Sequence, residues 1–164
     1  MSEVAHEKIL IGIGNQERGD DAIGLWLARQ LKARGLPGVV VRELHGDPTL
    51  LLDMWSHKDV VYLVDAVWSG VAPGTVHQMD ARIEPLPGTI FRLSTHGTSV
   101  ADAIELGRLF NRLPQRLVIY GIEGKSFDIG APISPEAQRG AEQALEVVLR
   151  DLKQKEVDLC MSGD

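Results

Sequence analysis

Lys8-Ile9-Leu10-Ile11-Gly12-Ile13-Gly14-Asn15-Gln16-Glu17-Arg18-Gly19-Asp20-Asp21 runs from an apolar strand, through a glycine turn, to two adjacent acids at the head of a helical pattern. An uninterrupted apolar run is what a strand buried on both faces requires. The helix follows over about 21–34, with Ile23, Leu27 and Leu31 at helical spacing and Gly35 as a stop signal. In open α/β sheets, ligands bind outside the carboxyl ends of the strands. A phosphate site would place glycines and backbone N–H groups there. Two acids point instead to a cation, with a metal first.

Working outward, strand and helix patterns alternate along the whole chain. Val39-Val40-Val41 predict a short second strand, followed by a brief helix around 48–55. Val60-Val61-Tyr62-Leu63-Val64 form a second central run, and Pro73-Gly74 precede an edge strand at 75–79 made by a hairpin. Residues 80–97 hold prolines and little periodicity and read as loop. A helix over 99–112 puts Val100, Ala103, Ile104, Gly107 and Phe110 on one face. Leu117-Val118-Ile119-Tyr120 predict another central strand. Ser134-Pro135-Glu136 start a last helix by a capping serine, a first-turn proline and an acid at the positive end of the dipole. Its inward residues are Ala137, Ala141, Ala144, Leu145, Val148 and Leu152. The expected fold is a single three-layer α/β domain over 1–155. It has a mostly parallel, twisted sheet of about five strands, one of them an antiparallel edge strand, and helices on both faces. A flexible tail is expected over 156–164.

Bulk properties exclude several function classes. A formal charge of −6 and a pI near 5.3 give no electrostatic case for nucleic acid or an anionic membrane. No apolar run is long enough to span a bilayer. The N-terminal residues lack the basic and apolar regions of a signal peptide, so a cytoplasmic location is expected. A single cysteine, Cys160 in the polar tail, leaves no internal disulfide, no thiolate zinc cluster and no partnered nucleophile.

Three ligand-type residues fall at corresponding places in three strand–helix units. Asp20-Asp21 follow the first strand, Asp65 follows the run ending at Val64, and His96 precedes the 99–112 helix. One imidazole with carboxylates suits zinc, nickel, iron or manganese. Taken singly, each has an ordinary explanation as a cap, a turn former or a solvated loop residue. Their matching placement favours a shared metal site. Gly12-x-Gly14 with Glu43 partly matches a dinucleotide fingerprint, but Glu17 stands at the third glycine position and the two aspartates would repel a pyrophosphate. Gly97-Thr98-Ser99-Val100-Ala101 falls short of a nucleophile elbow, because no histidine follows Ser99. His45 and Asp47 are placed to line the same crevice, whereas His57 and His77 read as surface residues. The tryptophans read as packing or rim residues.

On these residues the chain resembles the hydrogenase maturation proteases, endopeptidases that process the large subunit of nickel–iron hydrogenases. The resemblance rests on Gly12-Ile13-Gly14-Asn15 with Arg18-Gly19-Asp20-Asp21-Ala22-Ile23-Gly24, on Val64-Asp65-Ala66, on Ser94-Thr95-His96-Gly97, and on Gly121-Ile122-Glu123 leading to Ser134-Pro135-Glu136. It extends from about 8 to 152. Ala22 and Gly124 depart from the family's commoner glycine and proline, the second leaving that loop's conformation open. The resemblance implies Asp21, Asp65 and His96 as the metal-contacting and catalytic set. The metal would be nickel carried by the hydrogenase large-subunit precursor, with no tightly bound resident ion, and the product a precursor shorn of a C-terminal extension. Asp20 and Glu123 are candidate general bases by position alone. A monomer that binds neither nucleic acid nor membrane is expected. A non-catalytic nickel checkpoint and a dinucleotide-binding module stand as alternatives.

Overall fold

The computed structural model describes residues 7–57, 59–84, 86 and 99–161, the last residues of the final helix by backbone alone. Among these residues the elements run β1 (Lys8–Ile13), α1 (Ile23–Arg34), β2 (Val39–Leu44), β3 (Val60–Val67), β4 (Val76–Asp80), α2 (Val100–Leu109), β5 (Arg116–Glu123) and α3 (Pro135–Met161). Short 3-10 turns occupy Gly19–Ala22 and Pro48–Asp53. The five strands form one sheet in the order β2-β1-β3-β5-β4. β1, β2, β3 and β5 are parallel and β4 is an antiparallel edge.

Side-chain alternation along the central strands divides the core into two layers. Ile9, Ile11, Val61, Leu63, Leu117 and Ile119 pack with α2 and the Pro48–Asp53 turn. Leu10, Tyr62, Val64, Val118 and Tyr120 pack with α1 and the alanine-rich stripe of α3. Helix α1 lies close on the sheet because two glycines face each other. A Cβ on Gly12 would strike the carbonyl of Gly24, and one on Gly24 would strike the carbonyls of Ile13 and Val64. This contact draws the start of α1, and with it Asp21, over the carboxyl ends of β1 and β3.

Four expectations need correction. The apolar run of β3 does not end at Val64: pairing to β5 continues through Asp65↔Gly121, Ala66↔Ile122 and Val67↔Glu123, so Asp65 lies inside a strand. β4 does not close a hairpin on β3, because β5 occupies that flank and β4 pairs beyond it. The acids of the glycine turn sit in a 3-10 turn before α1 rather than in its first turn. Helix α3 runs on to Met161, where a tail was expected from 156.

Among the described residues, the Tyr62 hydroxyl is one of three buried side-chain atoms without a hydrogen-bond partner. The rings of Tyr62 and Tyr120 stack at 6.5 Å, and the Tyr120 hydroxyl donates to Asp151 at 3.1 Å. The Tyr62 hydroxyl has no hydrogen-bond partner, and burial, then the charge of Asp151, push its pKa up to about 12. An unsatisfied buried hydroxyl costs about 1–3 kcal/mol, whereas its removal without change of shape is near neutral or stabilising. Tyr62→Phe is therefore expected to hold or raise the thermal midpoint. Tyr120→Phe, which strands a bond to Asp151, is expected to lower it; a thermal melt monitored by circular dichroism checks both.

Candidate active site at the carboxyl edge of the sheet

The glycine turn after β1 is closed by backbone bonds from Gly14 to the Leu44 carbonyl (3.1 Å) and from Asn15 to the Asp21 carbonyl (3.2 Å). At the start of the 3-10 turn, Gly19 adopts φ +56°, and a Cβ there would meet the carbonyl of Ser126 at 2.5 Å. A left-handed residue pressed against backbone admits only glycine. The turn therefore carries its two acids in opposite senses, one into the protein and one towards β3.

Asp20 is the one that turns in, and it is wholly buried. Its carboxylate accepts from the backbone N–H of Lys125 (2.7 Å), Ser126 (3.0 Å) and Ser134 (2.6 Å), and from the Ser134 hydroxyl (2.8 Å). Ser134 Oγ in turn accepts from Ala137 N (3.2 Å), capping α3 as expected. Asp20 thus ties the glycine turn, the loop after β5 and the head of α3 at one point. Glu123, also buried, is similarly engaged. It accepts from the backbone N–H of Ser69 (3.0 Å) and the Ser69 hydroxyl, and contacts His77 Nε2 at 3.1 Å. Both candidate general bases are thereby committed to holding loops. His77 is not a free surface residue: the register His77↔Gly121 brings its ring to Glu123.

Asp21 turns towards β3 and pairs electrostatically with Asp65. Burial raises the Asp21 pKa, while the Arg18 guanidinium and a hydrogen bond from the Asn15 backbone pull it back. Burial, then the negative charge of Asp21, hold the Asp65 carboxyl well above the usual range, with a backbone bond at Ala66 opposing. Two carboxyls raised by burial, one of them further by the other's charge, form a site that a cation would relieve. Arg18 supplies the nearby positive charge, and its Nε is buried without a hydrogen-bond partner. His96 lies outside the described residues. Among the described residues, no three His, Cys, Asp or Glu side chains gather to hold a metal. The structure therefore brings together Asp21 and Asp65 of the expected set.

The other sequence candidates fall to structural roles. Glu43, the acid a dinucleotide site would use, accepts from Arg29 Nε (3.1 Å) and Nη2 (2.8 Å), which lowers its pKa, and His45 lies 3.4 Å from it. The Asp47 side chain accepts from Thr49 N and begins the 48–53 turn. Ser99 caps α2 reciprocally with Asp102, a serine-x-x-acid signal the sequence displays openly. His57 is exposed. Trp55 is buried and donates to the Arg112 carbonyl at 2.7 Å. Gly124 has a clear reason: a Cβ there would strike the Phe127 ring, which stacks on Trp68. Nothing in the sequence pattern signalled that stacking.

Comparison with known proteins identifies the family and the fold. The hydrogenase maturation protease family profile matches residues 27–151. The hydrogenase 2 maturation protease of Escherichia coli is 30% identical over 155 residues, covering 92% of this chain and 93% of that protein. A maturation protease of Thermococcus kodakarensis superposes with TM-score 0.70 at 27% identity, over 90% of this chain and 92% of that one. An endopeptidase of Escherichia coli superposes with TM-score 0.76 at 26% identity, over 91% and 93%. The chain is a peptide hydrolase and belongs to the hydrogenase maturation protease family.

Proposed function

We propose that this protein removes a C-terminal extension from the nickel-loaded large-subunit precursor of a nickel–iron hydrogenase, with Asp21, Asp65 and His96 completing the coordination of nickel that arrives in the substrate. The observation that carries this reading is the Asp21–Asp65 pair, each carboxyl raised by burial and Asp65 further by its neighbour's charge. A divalent ion entering between them reverses that repulsion, and carboxylate with imidazole is a donor set nickel accepts. Holding the ion fixes the peptide beside it, so that cleavage becomes an oriented, effectively intramolecular event. The ion polarises the scissile carbonyl or the attacking water. Water adds to that carbonyl, the C–N bond breaks, and the water's proton passes to the departing amine. With Asp20 and Glu123 committed elsewhere, the carboxylates at the ion are the acids placed to relay it.

In this reading the protein holds no tightly bound metal of its own and works as a cytoplasmic monomer, with no role for nucleic acid or membrane. Among the described residues no helix is long and apolar enough to cross a membrane. The test is incubation with nickel-loaded and nickel-free precursor, followed by intact mass. Shortening of the nickel-loaded form alone is expected. Equal shortening of both forms would remove nickel from the mechanism, and stable binding without shortening would make the protein a checkpoint.

A further inference from the structure

Among the exposed apolar side chains of the described residues, Trp68 is held in a ring stack. Trp68 is 54% exposed, yet its ring stacks on the nearly buried Phe127 at 5.4 Å and an interplanar angle of 10°. The two rings come from loops after different strands, and both loops are pinned. Glu123 holds Ser69 by backbone and hydroxyl, and Gly124 N donates to the Val67 carbonyl at 3.0 Å. Asp20 holds Lys125 and Ser126, immediately before Phe127. Val71 and Ile129, further along the same two loops, are exposed at 46% and 82%. The Phe127 loop also meets the glycine turn through Gly130 N to the Glu17 carbonyl (2.8 Å) and Asp20 N to the Ser126 carbonyl (2.8 Å). Thus the aromatic platform is continuous with the segment that carries Asp21, and Trp68 lies three positions beyond Asp65 on one chain.

From this geometry we infer that Trp68, seated on Phe127 in loops that also expose Val71 and Ile129, is the docking surface for an apolar side chain of the substrate polypeptide beside the bond to be cut. The inference rests on the functional reading above, since an endopeptidase acting at Asp21 and Asp65 must draw an extended chain across this edge. One exposed indole with these two aliphatic side chains offers on the order of a few hundred Å². A stable protein–protein interface needs about 800 Å² per partner, so the platform suits a peptide side chain better than a second copy of this chain. A pre-ordered aromatic loses little freedom on binding, which is what makes such residues effective anchors.

The experiment compares wild type, Trp68→Ala, Trp68→Phe and Ile129→Ser in steady-state cleavage of nickel-loaded precursor, with direct binding to the same precursor. Trp68→Ala is expected to raise KM about tenfold, the scale of an aromatic anchor, with kcat and the thermal midpoint near wild type. Trp68→Phe should recover most of the affinity, and Ile129→Ser should show a smaller rise in KM. A wild type that cleaves, beside a Trp68→Ala variant with unchanged KM, overturns the platform and leaves the functional reading standing. A loss of kcat at unchanged KM also overturns it. Concentration-dependent dimerisation of the free protein that Ile129→Ser abolishes would assign the surface to a second copy and overturn it as well. A wild type that neither binds nor cleaves defeats both readings together.

Discussion

Asp65→Asn is expected to abolish processing while raising the thermal midpoint. The carboxyl is held above its ordinary pKa by burial and by Asp21. A folded-state pKa above the unfolded one means that the folded protein binds the proton more tightly. The stability this group contributes is therefore present below the unfolded value of about 3.9 and is lost as pH rises through the raised folded value. At neutral pH the ionised group costs the fold, and asparagine removes that cost. Activity should move the other way. Partners that merely orient a metal ligand are already worth about 10–100-fold, so losing a direct ligand should leave less than about 1% of wild-type cleavage. Asp65→Ala and His96→Ala should be equally inactive, and the double variant no worse, because one missing ligand already disrupts the unit. Cleavage by intact mass and melting by circular dichroism read the two effects separately. Near wild-type cleavage by well-folded Asp65→Asn or His96→Ala would contradict the metal-recognition mechanism.

The neighbouring aspartate should behave in the opposite sense. Asp20→Ala leaves three backbone N–H groups, of Lys125, Ser126 and Ser134, without their buried acceptor. Each unsatisfied buried donor costs about 1–3 kcal/mol, and with partial relaxation a total loss of about 3 kcal/mol is expected. At roughly 2–4 °C per kcal/mol for a domain of this size, the midpoint should fall by about 6–12 °C. Asp20→Asn should not rescue it. One side-chain oxygen can still face Ser134, but the amide turns N–H groups towards the donors of Lys125 and Ser126. A general base at this position would give the reverse pattern, with Asp20→Asn inactive but fully stable. The thermal midpoint of that variant therefore separates a latch from a base.

The contrast between these two residues marks how far the sequence could be read. The α/β architecture was legible because Ile9 to Ile13, Val60 to Val64 and Leu117 to Tyr120 are apolar runs too continuous for half-exposed strands, each linked by a helical period. The approach of Asp21 to Asp65 was suggested by the same alternation, although Asp65 lies within β3 and not after its end. Asp20 was not legible. The donors that engage it lie 105 to 114 positions away, and they are mostly backbone groups that no side-chain pattern encodes. The contact between Glu123 and His77 was missed for a related reason. Pro73-Gly74 does signal the turn before β4, but no local signal says that β4 pairs with β5, so the contact between them depends on strand order. The Trp68–Phe127 stack joins two loops, where neither helical nor strand periodicity carries information.

The most direct test of the central claim is nickel K-edge absorption on the complex between this protein and nickel-loaded precursor, using a precursor variant that binds but is not cut. The spectrum of the free precursor serves as the reference. On binding wild type, the nickel should gain oxygen and nitrogen neighbours, and that gain should be lost with Asp65→Asn and with His96→Ala although both variants still bind. An unchanged nickel environment in the wild-type complex, or a gain that survives both substitutions, would contradict the assignment of Asp21, Asp65 and His96 to substrate-borne nickel.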